Sequence, residues 1–576
     1  MDKIYRVNMT DLTVKQEDVP AEWALLGGRG LTSTIVAAEV PPTCHPLGPN
    51  NKLVFAPGLL TGTPAAQSGR LSAGAKSPLT GGINESNSGG TAAQLLARLC
   101  IKALIIEGQP KEDKWFNLHV NKDGITIQEE TELVGQNNFA IIDAVETRLG
   151  KKTGILTIGI AGELRMAAAD ISVKDPDSKL RSHGRGGLGA VMGSKKIKFI
   201  SIDGEGAPGV TIAAPDKFKA ASRVFAKALL DHPVSGQALP TYGTNVLVNI
   251  INEAGGLPTR NFSYGQFASH DKISGETMHD TIVARGGKPK HGCHAGCIIQ
   301  CSQVYLDQDG KYLSSGFEYE TIWALGANCC IENLDIIAKA DNIMDDIGID
   351  SIETAVMFGV AMEAGIIPFG DGEGVLRLLT DEIAKGTPLG RILGGGAGSV
   401  GRAYGVIRVP VVKNQSIPAY DPRSIKGIGI TYATSTMGAD HTAGYSIATN
   451  ILNVGGNVDP LKKEGQVELS RNLQIATAAI DSTGMCIFVA FPALDIPECL
   501  PALIDMLNAR FDSSLAGDDF VALGKQILKV ERKFNIEAGF NSAHDRLPEF
   551  FTYEPLPPHN VVWDFSDEEI DEFWNF

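Results

Sequence analysis

The chain has 576 residues, of which 43% are hydrophobic and 20% charged, and its formal net charge is −16. This acidic balance excludes nucleic acid or an anionic membrane surface as the main partner, because phosphate binding needs a basic face. No apolar run reaches the roughly eighteen residues that a membrane-spanning helix needs. The length favours roughly two to four domains.

The N-terminus and the cysteines indicate the compartment. Residues 1–7 alternate like a strand and contain no apolar signal-peptide core. Of the nine cysteines, three lie in one short segment. That arrangement is typical of a metal site in a reducing compartment and not of a disulfide framework. We therefore predict a cytoplasmic protein.

Residues 1–207 are predicted to form a β-rich domain with glycine-rich turns. Apolar runs closed by Gly or Pro indicate its clearest strands, at residues 53–56, 103–107, 155–158 and 198–202. Two polar, glycine-rich segments lie between these strands, at residues 68–90 and 181–189. Backbone amides without side chains, next to Arg and Asn, favour close binding of phosphate. Ordinary surface loops are the alternative for each segment.

Helical periodicity dominates after a glycine-rich linker at residues 204–209. We divide this part into a domain at residues 208–412 and a second at residues 413–576. One helix is predicted to start at Pro215, and another to have Ser351 as its N-cap and Gly365 as its stop. The predicted fold class is therefore α+β, with a β-rich base domain followed by two mostly helical domains.

Cys293, Cys297 and Cys301 form the segment around which we build the functional interpretation. Three thiolates this close can face one ion or cluster, and neighbouring glycines let the backbone wrap around it. A cubane iron–sulfur cluster takes four Cys ligands, so a fourth is expected from elsewhere in the chain. Cys486 is the best candidate. Three buried structural thiols are the alternative.

Two segments repeat one pattern, Asp-x-x-Gly-x-(Asp or Cys), at residues 345–350 and 481–486. Each follows a predicted helix, and the glycine is placed to take the left-handed conformation that ends a helix. A carboxylate held at such a turn could accept two hydrogen bonds from a flat amino-pyrimidine edge. Two copies indicate a two-fold-like site for two equivalent ligands. A pair of ordinary helix ends is the alternative.

Taken together, these residues resemble the tungsten-containing aldehyde:ferredoxin oxidoreductase family. The resemblance covers residues 70–90, 181–189, the cysteine segment, 318–320, both Asp-x-x-Gly turns and 439–442. In one departure, three residues separate Cys293 from Cys297, where family members usually have two. The family's fold implies that the two helical domains close over the base domain. It also implies a tungsten ion on two pyranopterins between them, beside a [4Fe–4S] cluster.

The resemblance implies a role for each candidate residue. The cluster would be held by Cys293, Cys297, Cys301 and Cys486. Asp345 and Asp481 would bind the two pterins, with Asp350, Met485 and Cys486 nearby. The residues that would line the pterin phosphates and a bridging Mg²⁺ are Arg70, Asn87, Gly89, Arg181, Ser182, Gly184 and Arg185. Molybdenum in place of tungsten is left open.

The implied reaction is the reversible oxidation of an aldehyde, with water, to a carboxylic acid. Glu320 and His441 would face the substrate. His441 is suited to act as a base because its ordinary pKa lies near working pH. Glu320 could orient water or take a proton if burial raised its pKa. Glu318 competes with Glu320, because in a strand both side chains would face the same side.

Two other functions stay open. One is a benzoyl-CoA-reductase-type enzyme that reduces an aromatic thioester with partner subunits. The other is a non-catalytic iron–sulfur subunit, for which the paired turns and phosphate-type loops would be superfluous. The chain has no credible nicotinamide site, so electrons would leave to ferredoxin or to an iron–sulfur or flavin partner subunit. We also expect an oligomer.

Overall fold

The base of the molecule is built from two six-stranded sheets in the computed structural model, which describes residues 2–576. The strands of the first sheet are β1 (Lys3–Asn8), β2 (Thr13–Asp18), β3 (Leu53–Pro57), β4 (Leu71–Lys76), β5 (Ile83–Ser88) and β6 (Ile101–Glu107). Those of the second are β7 (Trp115–Asn121), β8 (Gly124–Glu130), β9 (Gly154–Thr157), β10 (Ile171–Lys174), β11 (Leu180–His183) and β12 (Ile197–Ile202). The four strands predicted from the sequence are confirmed.

The two sheets are one motif used twice. Their strand orders are β2-β1-β6-β3-β4-β5 and β8-β7-β12-β9-β10-β11. In each sheet the outer hairpin pairs in parallel with the last strand, and the other pairs are antiparallel. The helices also correspond. In the first copy α1 (Gly28–Glu39) precedes β3 and α2 (Ala92–Arg98) precedes β6, and in the second copy α3 (Asn138–Leu149) precedes β9 and α5 (Leu188–Ser194) precedes β12. A short α4 (Ile160–Glu163) is extra.

Helices dominate the rest of the chain, as predicted. Those before residue 412 are α6 (Pro215–Asp231), α7 (Leu239–Tyr242), α8 (Leu247–Glu253), α9 (Gly275–Ala284), α10 (Tyr319–Leu325), α11 (Leu334–Ile347), α12 (Ser351–Glu363), α13 (Gly372–Arg377), α14 (Pro388–Leu393) and α15 (Ala397–Tyr404). Those after it are α16 (Lys426–Thr434), α17 (Ile447–Asn450), α18 (Gln466–Thr483), α19 (Ala490–Asp495), α20 (Cys499–Phe511), α21 (Gly517–Glu537), α22 (Phe550–Tyr553) and α23 (Asp567–Asp571).

A small sheet carries the cysteine segment. Its strands are β13 (Lys288–His291), β14 (Ser302–Leu306) and β15 (Tyr312–Ser315), and the three cysteines lie in the loop from β13 to the start of β14. Strands β16 (Val411–Val412) and β17 (Gln415–Ser416) form a separate hairpin. Among residues 2–576, no helix has both the length and the apolar character needed to cross a bilayer.

The N-cap predicted for α12 is wrong by one residue. Asp350, and not Ser351, caps this helix, because its carboxylate accepts a hydrogen bond of 2.9 Å from the backbone N–H of Ile352. Ser351 is the first helical residue and bonds instead to the hydroxyl of Thr321. The predicted stop is confirmed, since Gly365 takes a φ of 75° just past the helix.

Candidate active site

A cavity of about 400 Å³ lies where the base and the helical parts meet. Its wall includes most of the residues selected from the sequence. These are Arg70, Gly89, Arg181, Ser182, Gly184, Arg185, Cys293, Cys301, Glu320, Asp345, Asp350 and His441. Five other candidates do not line the cavity, namely Asn87, Cys297, Asp481, Met485 and Cys486. The sequence therefore placed residues more than 350 positions apart around one space.

The four candidate cysteines approach each other at one end of this cavity. The side chains of Cys293, His294 and Cys297 present ligand atoms within 4.8 Å of one another. A hydrogen bond from Cys293 lowers the pKa of Cys297, whereas burial and then the charges of Glu318, Cys486 and Cys293 raise the pKa of Cys301. Cys297 and Cys301 thus each lie close enough to other candidate cysteines for their charges to interact. This gathering fits a cluster of Cys ligands better than isolated structural thiols do.

Arg70 connects the cysteines to the rest of the cavity. Its Nη2 donates a hydrogen bond of 3.7 Å to Sγ of Cys486. The arginine is buried, and its pKa is raised because nearby thiolates, Cys486 first, outweigh the desolvation that would lower it. A cation at this place compensates negative charge on the thiolates.

The two Asp-x-x-Gly turns are confirmed as helix ends, and equivalent parts of the base hold them. Gly348 ends α11 with a φ of 74°, and Gly484 ends α18 with a φ of 81°. The carbonyl of Gly348 accepts a hydrogen bond of 3.0 Å from the N–H of Asp170, the residue just before β10. In the same way, the carbonyl of Gly484 accepts a hydrogen bond of 3.0 Å from the N–H of Arg70, the residue just before β4. Because β4 and β10 are equivalent strands, the turns share the internal repeat of the base.

The carboxyl groups of the two turns nevertheless differ in their neighbours. Oδ2 of Asp481 lies 3.3 Å from Nη1 of Arg29, and both side chains are buried. Burial raises the pKa of Asp481 to about 6, against the opposing charge of Arg29. Burial, and then the charge of the neighbouring Asp341, raise the pKa of Asp345 well above its ordinary value. Near pH 7, Asp481 is therefore mostly ionised, whereas the surroundings of Asp345 favour its uncharged form.

Glu531 fixes Arg29 from the other side. It accepts two hydrogen bonds from this guanidinium, at 2.9 and 2.8 Å, and its own side chain is fully buried. Hydroxyl groups of Ser33 and Thr436 donate to the same carboxylate, at 2.8 and 2.6 Å. Each oxygen of Glu531 therefore accepts two hydrogen bonds, which hold the guanidinium of Arg29 in place. The sequence gives no sign of this pair, because no motif joins residues so distant.

Two arginines of the second glycine-rich segment reach into the cavity. Asp175 accepts from Nε and Nη2 of Arg181, at 3.2 and 3.0 Å, and fixes the orientation of this guanidinium. Arg185 donates to the carbonyls of Ala439 and Ser416 and lies 3.5 Å from Asp350. Both cations are preorganised for an anionic ligand.

Glu320 and His441 meet on the other wall of the cavity. Oε1 of Glu320 lies 3.2 Å from Nε2 of His441, while Oε2 of Glu320 accepts from the backbone N–H of Ala419. Burial raises the pKa of Glu320 to about 8 and lowers the pKa of His441 to about 4. At neutral pH both side chains are therefore mainly uncharged, and Glu320 is the one of the two that ionises as the pH rises.

Glu318 has a different environment from Glu320. It stands at the N-cap of α10 and accepts a hydrogen bond of 2.6 Å from the hydroxyl of Thr244. Glu320 lies in the first turn of the same helix, so the two side chains point in different directions. Both line the cavity, but only Glu320 faces His441.

A group of tyrosines, also missed from the sequence, surrounds His441. The hydroxyls of Tyr420 and Tyr445 are 2.8 Å apart, and both rings stand about 6 Å from the imidazole ring, at 6.1 and 6.2 Å. The wall beyond Tyr445 carries uncharged residues, namely Ala448, Leu473, Thr477, Ile487, Phe488, Ala490, Phe491 and Leu494. Single aromatic residues in helical segments give no signal of this kind in a sequence.

Several buried polar atoms of the cavity have no hydrogen-bond partner in the protein. They are Nε of Arg70, Nε of Arg185, Oε1 of Glu320, Oδ2 of Asp350 and Nδ1 of His441. Buried polar groups are normally paired, so this set fits a bound polar ligand that contacts both cations and carboxyl groups. A phosphate-bearing pterin has that chemistry.

Asn87 and Met485 stand apart from this wall. Asn87 is half-buried on β5, opposite Ser72 of β4. Met485 packs in an apolar core beside the second turn, with its side chain 1% exposed. Their roles toward a pterin stay predictions.

Comparison with known proteins now identifies the family. Residues 4–204 match the model of the aldehyde ferredoxin oxidoreductase N-terminal domain, and residues 220–576 match that of its domains 2 and 3. The chain belongs to the aldehyde ferredoxin oxidoreductase family. It is an oxidoreductase of that type, and this assignment favours the main interpretation over the two alternatives.

This member of the aldehyde ferredoxin oxidoreductase family is similar to named relatives over nearly their whole length. It is 38% identical to the tungsten-containing aldehyde ferredoxin oxidoreductase of Pyrococcus abyssi and 37% identical to that of Pyrococcus horikoshii. Each alignment covers 96% of this chain and 92% of the relative. The fold also matches the active site complex BamBC of benzoyl coenzyme A reductase, with a TM-score of 0.81, 18% identity, and coverage of 99% and 92%. That likeness shows the α+β fold alone.

Proposed function

We propose that this enzyme oxidises aldehydes to carboxylic acids at a tungsten centre held by two pyranopterins. The observation that carries the proposal is the pairing of Glu320 and His441 in the same cavity as the arginines and the first Asp-x-x-Gly turn. The relatives named as tungsten-containing aldehyde ferredoxin oxidoreductases support the substrate and the metal.

The residues available match the parts of these cofactors. Cys293, Cys297, Cys301 and Cys486 would hold a [4Fe–4S] cluster. The residues that would contact the pterin phosphates and a bridging Mg²⁺ are Arg70, Asn87, Gly89, Arg181, Ser182, Gly184 and Arg185. Asp345 and Asp481 would bind the pterin rings, near Asp350 and Met485. When bound, these groups supply a two-electron redox change at the metal and one-electron transfer through the cluster.

The protein's own contribution is to bind the aldehyde, orient it and move protons. Oxidation of the aldehyde with water yields the carboxylic acid, two electrons and two protons. Oε1 of Glu320 is free of protein hydrogen bonds and takes a proton in its ionised form. The imidazole of His441, whose Nε2 lies 3.2 Å away, stays neutral at working pH and positions this carboxyl group. The uncharged wall ending in Phe488, Phe491 and Leu494 excludes water and admits the organic part of the substrate.

We further propose that the electrons pass to ferredoxin or to a partner iron–sulfur or flavin subunit. The acidic chain is expected to act in the cytoplasm and as an oligomer. Ferredoxin as the acceptor is supported by the name of the relatives, aldehyde ferredoxin oxidoreductase.

The function is tested by supplying a panel of aldehydes to anaerobically purified protein, with benzyl viologen as the electron acceptor. We expect aldehyde-dependent dye reduction and formation of the corresponding acid in a ratio of about one acid to two electrons. A Cys486→Ser variant is the control for electron exit, because it lacks one proposed cluster ligand. If protein that contains tungsten and iron reduces the dye with none of the aldehydes, the proposal is refuted.

A further inference from the structure

The loop that covers the cysteines reaches the protein surface at Ala295 and Gly296. Both residues are exposed, while Cys297 next to them is buried. The base holds this loop in place, because Gln94 donates to the carbonyl of Ala295 at 2.7 Å and the N–H of Gln67 donates to that of Gly296 at 3.1 Å. The cysteine loop is therefore a fixed, thin cover between solvent and the thiols.

Basic side chains border this loop on two sides. Lys288 and Lys290 are both exposed on β13, and Lys290 is three positions before Cys293, a span of no more than about 11 Å. On the other side, Arg98 is exposed on α2, one helical turn from Gln94.

This surface is distinctive within a chain of net charge −16. Residues 281–306 contain no Asp or Glu at all. The carboxylate of Asp177 lies 3.7 Å from Nζ of Lys288, and both side chains are more than half exposed. An exposed ion pair at this distance contributes little free energy. The face over the cysteines therefore keeps an excess of positive charge.

We propose that this face, defined by Arg98, Lys288, Lys290, Ala295 and Gly296, is the docking surface for an acidic, one-electron iron–sulfur carrier. An acidic carrier is repelled by most of this molecule and attracted here, which orients it with its own centre toward the cysteine loop. Transient redox encounters bury little surface, so a small charged face around a thin cover is sufficient. The surface rests on the function proposed above, since a carrier is needed only if electrons leave through the cysteines.

The transfer itself is simple to balance. The reduced protein loses one electron, the oxidised carrier gains it, and no atom or proton needs to change place. Two encounters are required for each aldehyde, because its oxidation releases two electrons. The rate of encounter, and not only chemistry, then affects turnover.

The experiment reverses charge at the proposed face with K288E/K290E. Protein reduced with dithionite, freed of excess reductant, is mixed with an oxidised, acidic [2Fe–2S] ferredoxin, and reduction is followed by the visible circular dichroism of that carrier. We expect the second-order rate constant to fall about tenfold or more at low ionic strength, and the difference to shrink near about 0.5 M salt. No aldehyde is present, so the result does not depend on the proposed substrate.

The matched control is K529E/K533E on α21, which makes the same charge change on an exposed basic stripe. That helix packs against α18 and α1. Support for the proposal requires that this control keep the wild-type rate and that K288E/K290E still reduce the small cation benzyl viologen at full speed. A slowed control with an unaffected K288E/K290E would place docking on α21 and overturn the proposal. A K288E/K290E variant slow with both acceptors would also overturn it.

The two proposals fail separately. A wild-type chain that passes electrons through this face but oxidises no aldehyde would refute the proposed substrate and retain the docking surface. If the wild type oxidises aldehydes with viologen, but K288E/K290E reduces ferredoxin at the wild-type rate, the docking surface is refuted and the proposed substrate is retained.

Discussion

Single residues of the site differ chiefly in the charges that surround them. Glu318 and Glu320 lie two positions apart, yet one bonds to Thr244 and the other faces His441. Asp345 and Asp481 occupy equivalent turns, yet only Asp481 has an arginine at ion-pair distance. These differences depend on burial and on distant partners, so each gives a test by substitution.

Glu320→Gln should remove a pH dependence from the reaction. Burial raises the pKa of Glu320 to about 8. The ionised base becomes more abundant as the pH rises through that value, so kcat/KM of the wild type should rise and level off above it. The variant should lose this inflection and about 10²- to 10⁴-fold in rate.

Glu318→Gln is the matched control for that profile and should keep the inflection. His441 cannot produce it, because burial lowers the pKa of its imidazole to about 4. An inflection near pH 8 that survives in Glu320→Gln would contradict the assignment.

Asp345→Asn and Asp481→Asn should have unequal effects on pterin binding. Burial and the neighbouring Asp341 favour the uncharged form of Asp345, which Asn resembles, so Asn should cost less there than at Asp481, where it removes a carboxylate paired with Arg29. A hydrogen bond to a charged group is worth about 1.5–3 kcal/mol, enough to lower the pterin content of Asp481→Asn about tenfold or more. Pterin released per chain, measured by fluorescence after denaturation and oxidation, gives the comparison. Equal losses in the two variants would show that the turns bind their ligands alike.

Among the elements, the two helix ends and the two copies of the sheet motif position the site together. Gly58 follows β3 and Gly159 follows β9, and a Cβ on either would meet the backbone of the turn that it faces. Helix α18 thus rests on the first copy, and α11 on the second. The backbone of these turns leaves no room for a side chain.

Gly484→Ala should therefore cost much more than Gly365→Ala. Both glycines follow a helix with positive φ, at 81° and 75°. A Cβ at Gly484 would meet Oγ1 of Thr61 at 2.2 Å and Cα of Gly58 at 2.9 Å, while a Cβ at Gly365 meets nothing within 4 Å. The control should lose about 1–2 kcal/mol of unfolding free energy from backbone strain alone.

For Gly484→Ala we expect a larger loss of stability and reduced iron content, since Cys486 lies two residues further on. Urea unfolding and iron analysis measure these two effects. A Gly484→Ala protein as stable and as rich in iron as the control would contradict the tight fit of the second turn.

At the scale of the whole molecule, the cavity depends on contacts that a sequence shows only in part. The two Asp-x-x-Gly motifs, which have fixed spacing, predicted their own local structure correctly. The base was predicted as β-rich, but its internal repeat was missed, because strand order leaves no mark at a fixed sequence period.

Partners without a motif were also beyond prediction. Arg29 and Glu531 are 502 positions apart, and nothing in either segment indicates that they meet. The N-cap of α12 fell on Asp350 because a carboxylate and a hydroxyl are both good caps, and only the backbone geometry decides between neighbours.

Binding of a tungsten bis-pyranopterin and a four-iron cluster by this one chain can be tested directly by metal analysis of protein purified anaerobically from cells supplied with both tungstate and molybdate. We expect about one tungsten and about four iron atoms per chain, with Cys486→Ser losing iron. Iron without tungsten or molybdenum would contradict it and leave an electron carrier without chemistry of its own.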